Sequence, residues 1–121
     1  MFLNGGSYWN ARILSAPSVS AMTRNQIPGV SADYAGEHHD EALFGYGWVI
    51  YGGDDWRYFP GTLMSPKAFN HPGSGGVFLW IDPTYELVGV YFSASVEMID
   101  EFAGRNSSEL FVNTVTAAID D

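Results

Sequence analysis

Two apolar runs near the middle of the chain are separated by a short polar break. Val77-Phe78-Leu79-Trp80-Ile81 and Leu87-Val88-Gly89-Val90-Tyr91-Phe92 flank Asp82-Pro83-Thr84-Tyr85-Glu86. The runs are rich in β-branched and aromatic residues, and the break holds the proline and acidic residues that turns favour. The segment Val77 to Ala94 therefore predicts an antiparallel hairpin. Along its first run Val77, Leu79 and Ile81 point one way and Phe78 and Trp80 the other. Both sets are apolar, so the strand should be central and covered on both faces.

Weaker patterns surround this hairpin. Met1-Phe2-Leu3 followed by Asn4-Gly5-Gly6 reads as a last helical turn with its glycine cap. Ser15 is placed to cap a short helix, with Pro17 in its first turn and Val19, Met22 and Thr23 at helical spacing, and Ile27-Pro28-Gly29 ends it. Residues 30–43 lack periodicity and read as a loop. Phe44 to Tyr51 alternates glycine with large apolar residues, which predicts a strand approached closely by another backbone. Gly52-Gly53-Asp54-Asp55 reads as a turn, and Trp56 to Asn70 as an extended connection. Asn106 and Glu109 have the spacing of a capping box, and Leu110, Phe111, Val115, Ala118 and Ile119 continue at helical spacing towards the end. Together these elements predict an α+β fold, with an antiparallel sheet of about three to five strands and the C-terminal helix across one face. Neither a repeat nor a linker divides residues 1–121, so they form a single domain or part of one.

Composition narrows the possible functions. With 46% hydrophobic and 16% aromatic residues in 121, the chain can build a core. Fourteen acidic residues against five basic ones give a net charge of -9, which repels phosphate backbones and argues against nucleic acid as a partner. There is no cysteine, hence no disulfide, thiolate metal site or cysteine nucleophile. No run approaches the length of a membrane span, and the first residues lack the basic and apolar regions of a signal peptide. Met1 reads equally well as an internal methionine, so the compartment stays open. His38-His39-Asp40-Glu41 lacks the i, i+4 spacing that puts two metal ligands on one helix face, and reads as solvated loop. Gly73-Ser74-Gly75-Gly76 lacks the Gly-Lys-Ser/Thr ending of a phosphate loop. No cofactor or metal is expected.

The phrase Phe69-Asn70-His71-Pro72-Gly73-Ser74-Gly75-Gly76-Val77-Phe78-Leu79-Trp80-Ile81-Asp82-Pro83 resembles the third active-site motif and following hairpin of the serine β-lactamase and penicillin-binding protein superfamily. Members carry a Lys-Thr-Gly or His-x-Gly triplet on a strand beside the nucleophile. Upstream, Leu3-Asn4-Gly5-Gly6, Arg12-Ile13-Leu14-Ser15 and Met22-Thr23-Arg24-Asn25-Gln26 resemble the stretch before that sheet. Phe44-Gly45-Tyr46-Gly47-Trp48 is similar to the family's Tyr-Gly-x-Gly-Trp strand. The matches run in the family's order along nearly the whole chain and are closest to the class C-like branch, which includes esterases and peptidases. The resemblance implies the C-terminal part of a β-lactamase-related domain. The rest of the fold, N-terminal strands and a helical region, would cover the remainder, so the isolated chain should expose apolar surface and associate.

The chemistry implied is acyl transfer through a serine activated by lysine in Ser-x-x-Lys, where helical spacing puts both side chains on one face. Lys67 is the only lysine and Met64 stands three residues before it, so the chain does not contain that pair. Tyr8-Trp9-Asn10 matches the string of the second motif but follows the region where the family's true triplet falls, which makes the match accidental. The third motif remains. The resemblance implies that His71 takes the lysine position and orients tyrosine and substrate, that Gly73 lets substrate backbone pass closely, and that the Ser74 main-chain N–H is one of two oxyanion donors. Such a donor typically contributes about 3 kcal/mol to the transition state. A histidine is mostly neutral near pH 7 where lysine is charged, which disfavours substrate carboxylates and favours a small ester, amide or peptide-like substrate over a β-lactam. Trp48 and Trp80 are expected in the core. Two readings follow. One is a hydrolase fragment completed by the missing N-terminal portion of its own domain; the other is a non-catalytic truncated relative that binds a ligand or partner.

Overall fold

The computed structural model describes residues 1–34, 37–52, 61–73, 77–93 and 101–120, with the side chains of Tyr34, Glu37 and residues 101–106 outside that description. Its centre is a four-stranded antiparallel sheet made of β5 (Val49–Ile50), β6 (Phe69–Gly73), β7 (Val77–Asp82) and β8 (Leu87–Tyr91), in that order. The hairpin predicted from the two apolar runs is β7–β8, in register from Phe78 opposite Tyr91 to Asp82 opposite Leu87. Strand β7 lies between β6 and β8, and its two faces feed separate clusters. Phe78 and Trp80 join Tyr51, Met64, Ala68 and Val112 on one side, while Ile81 and Leu79 join Trp48, Phe69, Phe2 and Met22 on the other. Both tryptophans are core residues, as their strand positions predicted.

The helix α2 (Glu101–Ala117) covers the first of these faces through Val112, which is fully buried, together with Ser108 and Val115. Positions 108, 112 and 115 are spaced by four and three residues and so share one helix face. Phe111 meets Trp80 edge-on at 5.9 Å and Tyr91 at 5.2 Å. Two expectations about this helix are corrected. Asn106 lies inside it and not at a cap, because helix formers such as Glu101, Ala103 and Arg105 extend it a full turn earlier. Leu110 faces solvent at 69% exposure, since the stripe turns on Val112.

Opposite α2, the N-terminal residues close the second face. A 3-10 turn over Phe2–Asn4 ends at Gly5, which sits in the left-handed region (φ 56°) and returns its N–H to Phe2 C=O, as the glycine pair predicted. The ribbon β1 (Ser7–Tyr8) and β2 (Ala11–Arg12) follows, then α1 (Ala16–Met22). Ser15 caps α1 by accepting from Ser18 N–H at 3.1 Å. The helix stops at Thr23, short of Ile27. Gln26 N–H is drawn instead to Phe44 C=O at 2.7 Å, and its side chain to Ala21 C=O at 2.7 Å.

Residues 30–43 are not a bare loop. β3 (Ala32–Tyr34) and β4 (Glu37–His39) pair as an antiparallel ribbon, with Asp33 opposite His38. That pairing holds the polar string together by cross-strand contacts that periodicity does not register. Phe44 to Tyr51 is not one continuous strand either. Phe44 bridges back to Val49, Gly45 N–H donates to Trp48 C=O at 2.8 Å, and Gly47 has φ 76°, so the chain reverses within the segment before entering β5. Gly45 confirms the expected close approach: a Cβ there would stand 2.0 Å from Met22 O. The turn expected at 52–55 and the connection at 56–60 lie outside the described residues, while 61–68 run irregularly into β6.

Polar anchoring at the hairpin turn is concentrated on Asp82. Its buried carboxylate accepts from Ser65 N–H (2.7 Å), Ser65 Oγ–H (2.6 Å) and Thr84 N–H (3.0 Å), tying the 61–68 segment to the end of β7. These donors replace the hydration that the carboxylate loses on burial.

Apolar surface is also left uncovered. Val88 (52%), Val90 (45%) and Phe92 (80%) are exposed on and after the edge strand β8, and Trp9 is 88% exposed at the end of the β1–β2 ribbon.

Candidate functional site

Strand β6 carries the third-motif triplet. Its first two residues pair with β5, Phe69 opposite Ile50 and Asn70 opposite Val49, whereas all five residues from Phe69 to Gly73 pair with β7. The triplet therefore extends past the end of β5. Tyr51 N–H donates to Ala68 C=O at 2.9 Å, so alternation turns the main-chain groups of Asn70 and Pro72 to the β5 side. Pro72 reaches that side where β5 has ended and no ladder bond is required, the position in a sheet that tolerates proline.

Side chains alternate in the same way. Asn70 is buried on the α2 side opposite Trp80, and among the described residues Asn70 Oδ1 and Trp80 Nε1 have no hydrogen-bond partner. Phe69 and His71 turn to the other face. There Trp48 packs edge-on against Phe69 (4.9 Å, 75°) and Phe2 (5.0 Å, 82°), and presents itself at a right angle to the His71 ring (6.4 Å, 87°). These rings make an aromatic floor under an exposed imidazole.

His71 is held from one end. Its Nδ1 lies 2.7 Å from Gly47 O. A carbonyl can only accept, so Nδ1 carries the hydrogen and, in the neutral ring, Nε2 is left as an acceptor. Gly47 presents this carbonyl from the left-handed turn between Phe44 and Val49. Sequence reading singled out the glycine-tryptophan phrase but assigned Gly47 no partner.

Gly73 ends β6 opposite Val77. A Cβ built there meets nothing closer than Val77 O at 3.3 Å, and its φ is not positive. Backbone conformation does not demand a glycine here, but a Cβ would press on the Val77 carbonyl more tightly than ordinary contact allows. Ser74, the third expected site residue, lies outside the described residues. The structure thus brings His71 and Gly73 together on one strand end and adds the Gly47 carbonyl. Tyr8, in the accidental second-motif string, is on β1, where it stacks on Trp9.

The polar string at 38–41 is separate. His38 Nδ1 lies 2.7 Å from Asp33 Oδ1, and this hydrogen bond, with the charge of Asp33, raises the His38 pKa above 6.5. Among the described residues no group of three or more His, Cys, Asp or Glu is arranged to hold a metal ion, and no helix is long and apolar enough to cross a membrane.

Comparison with known proteins places this geometry. A crystal structure of a β-lactamase from Mycobacterium bovis superposes with a TM-score of 0.61 at 23% sequence identity, covering 86% of this chain and 40% of that one, which is a likeness of fold. A protein of Escherichia coli provisionally named D-alanyl-D-alanine carboxypeptidase is 31% identical over 91 residues, 75% of this chain and 18% of its own length. One of the same name from Salmonella gallinarum is 30% identical over 83 residues, 69% of this chain and 16% of its own length. The chain thus spans less than a fifth of these relatives. The β-lactamase family profile matches residues 8–113, from the first ribbon through most of α2, and the chain belongs to that family, within the serine β-lactamase and penicillin-binding protein superfamily.

Proposed function

We propose that residues 1–121 are the C-terminal part of a β-lactamase-related domain and form one wall of an acyl-transfer pocket whose nucleophilic serine and activating lysine lie on other polypeptide. The observation that carries this reading is the end of β6. His71 and Gly73 stand together beyond Val49, the first residue of β5, with His71 exposed over its aromatic floor and Gly73 two residues further along the same strand end. In the proposed pocket His71 orients a hydroxyl, Gly73 admits the substrate main chain, and the family resemblance gives the oxyanion-donating N–H to Ser74, which lies outside the described residues. The substrate is a small ester, amide or peptide-like compound. An imidazole held by its Nδ1–H and offering a lone pair suits a neutral acyl donor better than a carboxylate.

The test is to place an affinity tag after Asp121 on the chromosomal gene and recover whatever polypeptide the cell makes. A fluorophosphonate probe should acylate it at a serine outside residues 1–121, a simple ester should turn over faster than a penicillin, and His71→Ala should slow acylation on the order of a hundredfold. Labelling of a serine within residues 1–121, or labelling unaffected by His71→Ala, would overturn the reading. Absence of any adduct would leave the non-catalytic binding module in its place.

A further inference from the structure

We infer that the Gly47 carbonyl is a positioning group that fixes His71 in its Nδ1–H tautomer, and that the site therefore recognises a hydroxyl or N–H donor at His71 Nε2. The inference rests on the pocket reading for its functional half, while the tautomer is a property of this chain alone. Histidine side chains in water favour the proton on Nε2, so the contact at 2.7 Å selects the less common form. It also leaves Nε2 without a hydrogen bond among the described residues, on a ring that is exposed.

What holds the carbonyl in place is legible. Gly47 sits at φ 76°, a conformation that β-branched residues rarely adopt, inside a reversal closed by Gly45 N–H to Trp48 C=O and by the Phe44–Val49 bridge. The reversal is fixed to the body of the protein by Tyr46 N–H donating to Met22 C=O at 3.0 Å and by buried Trp48 wedged between Phe2 and Phe69. The aromatic floor and the carbonyl thus come from consecutive residues, so the floor that supports the ring also registers its rotation. A donor that occupies Nε2 meets a lone pair, whereas a carboxylate meets repulsion. This distinguishes the site from one built on an ammonium, which can only donate.

The test reads the tautomer first. In the chain labelled with 15N-histidine, at a pH where the ring is neutral, two-bond proton–nitrogen spectra assigned with His71→Gln should show His71 protonated mainly on Nδ1. Gly47→Asn, which tolerates positive φ, should keep that form, and Gly47→Val should return the majority to Nε2. Wild-type protein with Nε2 protonated in the majority would overturn the inference, and that measurement needs no variant to fold. The second arm uses the tagged cellular protein with paired esters that differ only by a free hydroxyl or its methyl ether. A hydroxyl preference in kcat/KM that falls at least several-fold in Gly47→Val and persists in Gly47→Asn assigns the donor to substrate. A fall in acylation of both esters alike assigns it to the enzyme's own hydroxyl. Unchanged kinetics in Gly47→Val would overturn the recognition half. Failure of acylation altogether, with the Nδ1–H form intact, would instead remove the pocket reading.

Discussion

Gly89→Ala tests how rigid the layer between the sheet and α2 is. Replacing glycine by alanine in a strand ordinarily gains about 0.5–1 kcal/mol, because glycine loses more freedom on folding. Here the sign should reverse. A Cβ on Gly89 would stand 2.0 Å from Trp80 Cη2 and Cζ2 and 2.4 Å from Cε2, so one group must retreat by more than 1 Å to reach ordinary contact at 3.4–4 Å. Trp80 is 1% exposed and boxed by Phe78 (5.3 Å between ring centroids) and Phe111, which leaves the indole no free direction. Overpacking of this kind costs about 1–3 kcal/mol. Because β8 is hydrogen-bonded on one side only among the described residues, it can yield, and an overpacking cost of about 2 kcal/mol less the ordinary gain leaves a net loss of about 1 kcal/mol. At about 4 °C per kcal/mol for a chain of this size, Tm should fall by roughly 4 °C. The decisive measurement is a double-mutant cycle with Trp80→Leu, followed by urea denaturation and far-ultraviolet circular dichroism. Removal of the indole should abolish the alanine penalty and give a coupling of about 2 kcal/mol. A Gly89→Ala protein within about 0.5 kcal/mol of wild type, or one that loses as much in the Trp80→Leu background, would refute the steric account.

Three further outcomes are expected. Asp82→Ala should cost about 3 kcal/mol or more by urea denaturation, since Ser65 N–H, Ser65 Oγ–H and Thr84 N–H lose their acceptor in a buried place, while Ser65→Ala should cost about 1–2 kcal/mol. Ser15→Ala should lower stability by about 1 kcal/mol through the lost cap on α1, with little change in Ser15→Asp. For the β3–β4 ribbon, the pKa of His38 is raised by Asp33, so the pairing stabilises fully below pH 6.5 and its contribution is lost as pH rises through the higher folded value. Nuclear magnetic resonance titration should place the His38 midpoint above 6.5, and Asp33→Asn should lower it; an unmoved midpoint would show that the contact does not persist in solution.

What the sequence revealed and what it hid divide along physical lines. The β7–β8 hairpin was plain because two apolar runs and a turn specify pairing and a strand buried on both faces, although the pattern did not say which face α2 covers. Gly5 and Ser15 announced themselves as caps because one residue type does one local job. The β3–β4 ribbon escaped because it is held by cross-strand contacts such as Asp33 with His38, which leave no apolar alternation. The reversal at Gly47 escaped because a glycine within an apolar stretch reads the same in a weak strand and in a tight turn. At the site, the position of His71 and Gly73 on one strand followed from their string. The carbonyl partner 24 residues away did not, since a main-chain acceptor carries no residue identity to search for.

Pro72 has a bearing on how the sheet meets other chains. Any foreign strand that tried to extend the ladder along this border would find a rung without a hydrogen, directly beside the histidine, and its register would break there. Main-chain pairing at the border next to the imidazole is thereby confined to short stretches. The opposite border, Leu87-Val88-Gly89-Val90-Tyr91, has neither charge nor proline to discourage templated growth.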